Sequence, residues 1–78
     1  MAGEEADRMA KHLRQLLAQV RRAKGLKQTQ LAKKLGRTQS FVSNYERGER
    51  RVAVVDFVLI ARALNEEPTE LLSRLLAL

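Results

Sequence analysis

The strongest structural signal in this chain lies in residues 28–47, QTQLAKKLGRTQSFVSNYER. Leu31, Ala32 and Leu35 recur at helical spacing, which places them on one buried stripe of a short helix. Gly36 follows at the point where this helix must end, because a residue without a Cβ adopts the left-handed conformation at low cost. The segment therefore begins with a short helix that ends in a tight turn.

A second short helix is predicted directly after the turn. The side chain of Thr38 can accept a hydrogen bond from the free backbone N–H groups of the next turn, so Thr38 is the expected N-cap. Val42 and Tyr45 lie three residues apart and form the buried side of this helix. Two short helices held at a fixed angle by a turn are typical of the helix-turn-helix motif.

The pattern continues on both sides of the motif, in residues 23–26 (AKGL), 45–50 (YERGER) and 60–64 (IARAL). With these stretches, residues 13–72 resemble the phage repressor and Cro type of helix-turn-helix, the xenobiotic-response-element (XRE) family of bacterial transcription regulators. The resemblance implies an all-α fold, a compact five-helix bundle of the lambda-repressor-like DNA-binding type. Residues 1–78 are expected to form a single domain around the motif.

Three further helices are expected outside the motif. The first, over about residues 4–24, is longer than the family's usual first helix, and its start within residues 1–8 either frays or is used by a partner. The fourth, over about residues 54–64, is apolar on nearly every side, which predicts burial on two faces, within the bundle or against a second subunit. The fifth begins at Pro68, which suits a first helical position.

The end of the fifth helix carries more leucine than one small core should need. The candidates for a dimer interface are Leu75, Leu76 and Leu78. The alternative is that these residues fold back over the core.

The second helix of the motif carries the predicted base contacts. The N-terminal end of such a helix enters the major groove, so Gln39 and Ser40 come first, and Asn44 shares their face one turn later. A Gln or Asn amide both donates and accepts, which matches N6 and N7 of adenine. Phe41 is also a candidate base contact: it packs either on a thymine methyl group or under the following loop as peripheral core.

Other side chains are predicted to contact phosphates. They are Gln28, Ser43, Arg47, Arg50 and Arg51. Gln28 resembles the family residue that lies against a phosphate and supports the first residue of the recognition helix, and Ser43 contacts either a phosphate or a base. The arginines would position the protein on the DNA backbone without reading sequence.

The resemblance also gives Glu46 a structural role. An acid on a DNA-facing helix would repel phosphate, and the matching acid of the family turns inward to an arginine of the first helix, which is Arg21 here. An Arg21–Glu46 ion pair is therefore predicted to brace the two helices without touching DNA.

The positive charge of the chain is concentrated on the motif. The formal net charge is +6, and residues 27–51 contain seven Lys and Arg against two acids, whereas residues 52–78 contain two against four. Such a basic patch suits a polyanion, because Lys and Arg release condensed counterions from phosphates. Double-stranded DNA is the expected partner, and a homodimer is expected because two recognition helices related by a twofold axis read a palindrome.

Other functions follow less directly from the residues. The same fold serves as the antitoxin half of toxin–antitoxin pairs, so a module that pairs with a separate protein stays open. An enzyme is not expected, because the chain has one histidine, no cysteine and no converging carboxylates. No metal or cofactor is expected either. No apolar run approaches the roughly 20 residues that cross a bilayer, so the expected protein is a cytoplasmic, nucleoid-associated regulator, a repressor, with no membrane contact.

Overall fold

The computed structural model describes residues 2–77. Within this range the chain forms five α-helices and no strand. They are α1 (Ala2–Ala23), α2 (Gln28–Leu35), α3 (Gln39–Glu46), α4 (Val54–Ala63) and α5 (Pro68–Leu76). The all-α, five-helix architecture predicted from the sequence is confirmed.

Helix α1 is 22 residues long and is helical from Ala2 onward. Glu4 and Glu5 lie in its first turn, and Arg21 and Arg22 lie in its last, so charges of both signs complement the helix dipole. Residues 2–8 belong to α1, and Met1 lies outside the described residues. That the start of α1 frays or is used by a partner stays a prediction.

The turn between α2 and α3 has the predicted left-handed residue. Gly36 takes a φ of 67°, its N–H bonds to the carbonyl of Lys33, and the N–H of Arg37 bonds to the carbonyl of Ala32. Asn65 takes the corresponding conformation after α4, with a φ of 60°. Both helices thus end at residue types, glycine and asparagine, that adopt a positive φ at low cost.

The predicted cap at Thr38 is wrong in one respect. Thr38 has the extended backbone of an N-cap, with φ −82° and ψ 160°, but its side chain makes no capping hydrogen bond. Thr38 is exposed, so water can accept hydrogen bonds from the free N–H groups of the first turn of α3. At the start of α2, the backbone N–H of Lys27 donates to Oε1 of Gln30 at 2.8 Å, which is one of the two hydrogen bonds of a capping box.

The core lies where all five helices meet. Helix α2 packs on α3 and α4, α3 also packs on α1, and α5 packs on α1 and α4. The largest fully buried side chains are Tyr45, Leu17, Leu31, Ile60, Leu64, Leu71 and Val42. Each large apolar side chain contributes about 1.5–3 kcal/mol on burial. Because Val42 and Tyr45 come from α3, the core fixes this helix and turns its opposite side outward.

Over residues 2–77, no helix combines the length and the apolar composition that a bilayer-spanning segment requires.

Candidate nucleic-acid interface

One side of α3 is polar and faces outward. Its residues are Gln39, Ser40, Ser43 and Asn44. Gln39 and Ser40 are exposed at the N-terminal end of the helix, and Ser43 and Asn44 are partly exposed one turn later. A rigidly held helix therefore presents two amide side chains and two hydroxyls on its free face.

Arg21 and Glu46 join α1 to the end of α3. Nε of Arg21 donates to Oε2 of Glu46 at 2.7 Å, and Nη2 donates to Oε1 at 3.0 Å. The third donor, Nη1, reaches the carbonyl of Leu26 at 2.7 Å. The two side chains are only 9% and 6% exposed, and the hydrogen bond to Glu46 raises the pKa of Arg21. The predicted ion pair is present, as a two-point contact that restricts both side chains.

The same carboxylate begins a chain of hydrogen bonds toward the start of α3. Nε2 of Gln28 donates to Oε1 of Glu46 at 2.9 Å, and Nε2 of Gln39 donates to Oε1 of Gln28 at 3.0 Å. We call Arg21, Glu46, Gln28 and Gln39 the bracing chain. It connects α1, α2 and both ends of α3, so Gln28 has the supporting position toward Gln39 that the sequence predicted.

Arg47 binds two residues of the outward face. Its Nη2 donates to Oδ1 of Asn44 at 2.8 Å, its Nη1 donates to Oγ of Ser43, and its Nε donates to Oε2 of Glu49 at 2.7 Å. The acceptor of the Asn44 amide is thus already engaged. Two-point recognition of adenine by Asn44 would use the second lone pair of this oxygen or follow its release by Arg47, whereas donation from Nδ2 depends on neither.

Of the two positions considered for Phe41, the structure has the one in the periphery of the core, under the following loop. Phe41 is 8% exposed, belongs to the core cluster, and packs edge-to-face on Tyr45 with a centroid distance of 5.6 Å. The guanidinium carbons of Arg37 and Arg50 lie 4.1 and 4.9 Å from its ring centroid. The ring is therefore covered by two guanidinium groups, and both distances are within the range of a cation–π contact.

The remaining arginine of the loop, Arg51, pairs with the extension of α1. Its Nη2 lies 3.2 Å from Oδ1 of Asp7, and both side chains are highly exposed. Such a surface pair is worth less than about 1 kcal/mol, so Arg51 can exchange it for another anion. The two residues are 44 positions apart, and no local pattern in the sequence signals this contact.

The candidate dimer leucines differ in their surroundings. Leu75 packs against the core and is partly buried, Leu76 is 65% exposed, and Leu78 lies outside the described residues. The apolar side chains with the greatest exposed fraction belong to α4, where Val54 is 79% and Val55 is 69% exposed. Leu75 therefore packs in the core of the single chain. The exposed valines belong to the helix whose apolar sides were expected to be buried within the bundle or against a second subunit.

An apolar groove of about 370 Å³ lies beside these valines. Its lining comes from α1, α4, α5 and the loop before α4, and consists of Leu13, Val52, Val54, Phe57, Val58, Pro68, Thr69, Leu72 and Leu75. We call this surface the α4–α5 groove.

Comparison with known proteins defines the class of this fold and site. The family model described as helix-turn-helix matches residues 17–71. A comparison with curated proteins gave no match. An XRE-family like protein from Pseudomonas syringae pv. tomato str. DC3000 is 39% identical and superposes with a TM-score of 0.93, over 97% of this chain and 93% of that chain.

Two controller proteins of restriction-modification systems are also similar in structure. C.AhdI from Aeromonas hydrophila is 42% identical with a TM-score of 0.74, over 80% of this chain and 90% of that chain. C.Esp1396I shares the fold, with 22% identity and a TM-score of 0.83 over 88% of this chain and 91% of that chain. The chain belongs to the Cro/C1-type, XRE family of helix-turn-helix transcription regulators, which are DNA-binding proteins.

Proposed function

We propose that this regulator is a repressor that binds a palindromic DNA site as a homodimer, with the N-terminal end of α3 in the major groove. The observation that carries the proposal is the bracing chain, which holds the start of α3 while its polar side stays exposed. A fixed helix that presents oriented amides on its exposed side is what direct reading of base edges requires, because misplaced donors lose their hydrogen bonds.

Gln39, Ser40 and Asn44 are the proposed base contacts. Gln39 is exposed at the helix start, and its Nε2 is tied to Gln28, which sets the plane of the amide. Asn44 reads either with Nδ2 alone or with both amide atoms after Arg47 turns away to a phosphate. Each good two-point contact discriminates against a wrong base by about 1–3 kcal/mol.

The proposed phosphate contacts surround this face. Arg47, Arg50 and Arg51 are exposed, and each is held by contacts that a phosphate can replace or extend. Ser43 and Gln28 lie beside them with partial exposure. These contacts fix the register of the protein on the duplex and supply the salt-dependent part of the affinity.

The proposed dimer interface is the α4–α5 groove with the exposed valines beside it. The occupant is a second copy of the chain, because the groove is almost entirely apolar and its rim includes the side chains that the single chain leaves most exposed. Two copies related by a twofold axis would place their recognition helices about 34–36 Å apart, one turn of the duplex. A domain bound over a promoter excludes other proteins from that DNA, which is the simplest route to repression.

The proposal assigns the chain no catalytic activity and no cofactor. An antitoxin-like pairing with a separate protein is the alternative, and stable co-purification of this chain with a second small protein would favour it.

Selection of bound sequences from random duplex DNA, at two salt concentrations, tests the proposal. We expect an enriched palindrome with half-sites one helical turn apart, and a Gln39→Ala variant should lose the preference at one base pair of each half-site. Lys33→Gln, on the exposed side of α2, is the matched control and should keep the preference. Binding without any enriched sequence would overturn the proposal.

A further inference from the structure

A basic pocket lies between the extension of α1 and the loop that joins α3 to α4. Its volume is about 410 Å³. The charged residues that line it are Lys11, Arg14, Arg50, Arg51 and one acid, Asp7. Four cations and one carboxylate give this small concave surface a strong positive field, which is a condition for capture of an anion.

Arg14 is placed across the loop by a glycine. Gly48 has a φ of 81°, and a Cβ built on it would lie 2.8 Å from the guanidinium carbon of Arg14. The missing side chain thus gives Arg14 the space in which it crosses the backbone of the loop. Any other residue at position 48 would displace this guanidinium and also strain the backbone.

The two cations contributed by α1 are not neutralised within the protein. Among residues 2–77, the side-chain ion pairs join Arg21 to Glu46, Lys24 to Glu66, Arg47 to Glu49 and Arg51 to Asp7, and none includes Lys11 or Arg14. The one acid in the pocket, Asp7, is highly exposed and contacts Arg51 at 3.2 Å. An incoming anion can therefore replace a weak surface contact.

Tyr45 forms part of the pocket wall. Its side chain is fully buried, and its hydroxyl has no hydrogen-bond partner among the described residues. Burial raises the pKa of Tyr45, so the hydroxyl stays a neutral donor at physiological pH. The hydroxyl is sealed from solvent, so Tyr45 contributes only to the wall, and the four cations carry the charge that suits an oxyanion.

We propose that this pocket binds a phosphate group, with Lys11 and Arg14 as its principal ligands. If the phosphate belongs to DNA, the inference rests on the proposed function. A small phosphorylated molecule would present the same chemical group to the pocket. The loop with Arg50 and Arg51 directly follows the recognition helix, which favours a backbone phosphate next to the half-site. Lys11 and Arg14 precede residues 17–71, which the family model matches. The proposed phosphate contact therefore lies outside the segment that this chain shares with the family model.

Binding of a Lys11→Gln/Arg14→Gln variant to the selected operator tests the proposal. Fluorescence anisotropy is measured over a salt series with a long duplex and with one trimmed to the half-sites. On the long duplex we expect about tenfold weaker binding and a salt slope smaller by about one unit. On the trimmed duplex, variant and parent should be equal. Arg8→Gln is the control, since Arg8 is an exposed arginine of α1 that does not line the pocket.

A second measurement identifies the source of the phosphate. Inorganic phosphate is titrated into the DNA-free protein, with chloride at equal ionic strength as control, and the backbone amide resonances of Gly48 and Arg51 are followed by NMR. Shifts in the parent that are absent from the double variant, together with unchanged operator affinity, would assign the pocket to a free phosphorylated molecule.

Two further results complete the test. Unaltered operator binding combined with no phosphate-dependent shift overturns the proposal. Failure of the parent to select any DNA sequence contradicts the proposed function instead, and the phosphate titration then decides the pocket alone. The single variant Lys11→Gln removes an exposed side chain, so it keeps the test valid if Arg14→Gln impairs folding.

Discussion

Nε of Arg21 lies 2.7 Å from Oε2 of Glu46, across 25 positions of sequence, and this pair ties the last turn of α1 to the end of α3. The carboxylate has a second function, because Gln28 donates to it and in turn accepts from Gln39. One buried acid thus ties α1 to α3 and, through Gln28, orients the first side chain of the surface proposed to face DNA.

Glu46→Gln should destabilise the fold strongly. Removal of one partner leaves the buried guanidinium of Arg21 without a compensating charge, which costs about 3–5 kcal/mol in comparable pairs. For a domain of this size, about 1 kcal/mol shifts the Tm by roughly 4–8 °C, so thermal unfolding followed by circular dichroism should show a large decrease. Glu66→Gln breaks the more exposed Lys24–Glu66 pair and should change the Tm much less. Equal, small shifts for both variants would mean that the buried pair does not brace the helices.

Tyr45→Phe should lessen the loss of stability at alkaline pH. Burial raises the pKa of Tyr45 above its ordinary value of 10.0, so the folded state keeps a proton that the unfolded state releases. The contribution of Tyr45 to the free energy of unfolding is fully present below pH 10. Above pH 10 it decreases by about 1.4 kcal/mol per pH unit.

Urea unfolding at a series of pH values measures this effect. Tyr45 is the only tyrosine in the sequence, so tyrosinate absorbance reports its ionisation directly. At neutral pH the variant should be at least as stable as the parent, because it removes a buried hydroxyl that lacks a partner. A normal titration near pH 10 in the folded protein would contradict the prediction.

Phe41→Leu should weaken DNA binding for all sequences alike. The variant keeps an apolar side chain in the core but removes the ring that holds Arg37 and Arg50. The edge-to-face contact with Tyr45 is also lost, at a stability cost of about 0.5–1.5 kcal/mol. Anisotropy titrations against the selected operator and an unrelated duplex should therefore shift together. A change confined to sites that contain a particular thymine would restore a base contact for Phe41.

Gln28→Ala should relax sequence preference while leaving the fold intact. Gln28 is partly exposed, and its amide links Glu46 to Gln39, so its loss frees the Gln39 side chain to adopt other rotamers. Repeating the DNA selection should show a weaker preference at the base pair assigned to Gln39. Gln30→Ala is the control, since Gln30 bonds only the start of α2. Identical selected sequences for both variants would remove the orienting role of Gln28.

Val55→Asp should prevent formation of the proposed homodimer. Val55 is 69% exposed in the single chain, so a carboxylate there disturbs the folded subunit little but is unfavourable within an apolar interface. Sedimentation equilibrium without DNA should give half the mass of the parent. Gln15→Asp introduces the same charge at an exposed position of α1 outside the α4–α5 groove and should leave the mass unchanged. A parent that sediments as a monomer at all concentrations would reject the proposed homodimer.

Local patterns in the sequence predict the helices and most of their ends, and the resemblance to a known family predicts the class of protein. Apolar spacing places Leu31, Val42 and Tyr45 in the core, and Gly36 and Asn65 end helices because few residues adopt positive φ at low cost. These properties are local: they depend on neighbours within about one helical turn, which the sequence displays directly. The Arg21–Glu46 pair was predictable only through the resemblance.

Tertiary structure decided how the long polar side chains are used. Packing of α1 against the loop brings Asp7 to Arg51 and Arg14 to Gly48, and packing of α3 buries Phe41 beneath Arg37 and Arg50. Arginine has several rotatable bonds and reaches partners far away in sequence. The spacing of residues therefore predicts the face of the helix on which an arginine lies, but not the group that its side chain contacts. The docking of helices against one another sets these contacts, and with them the shape and charge of the surface proposed to meet DNA.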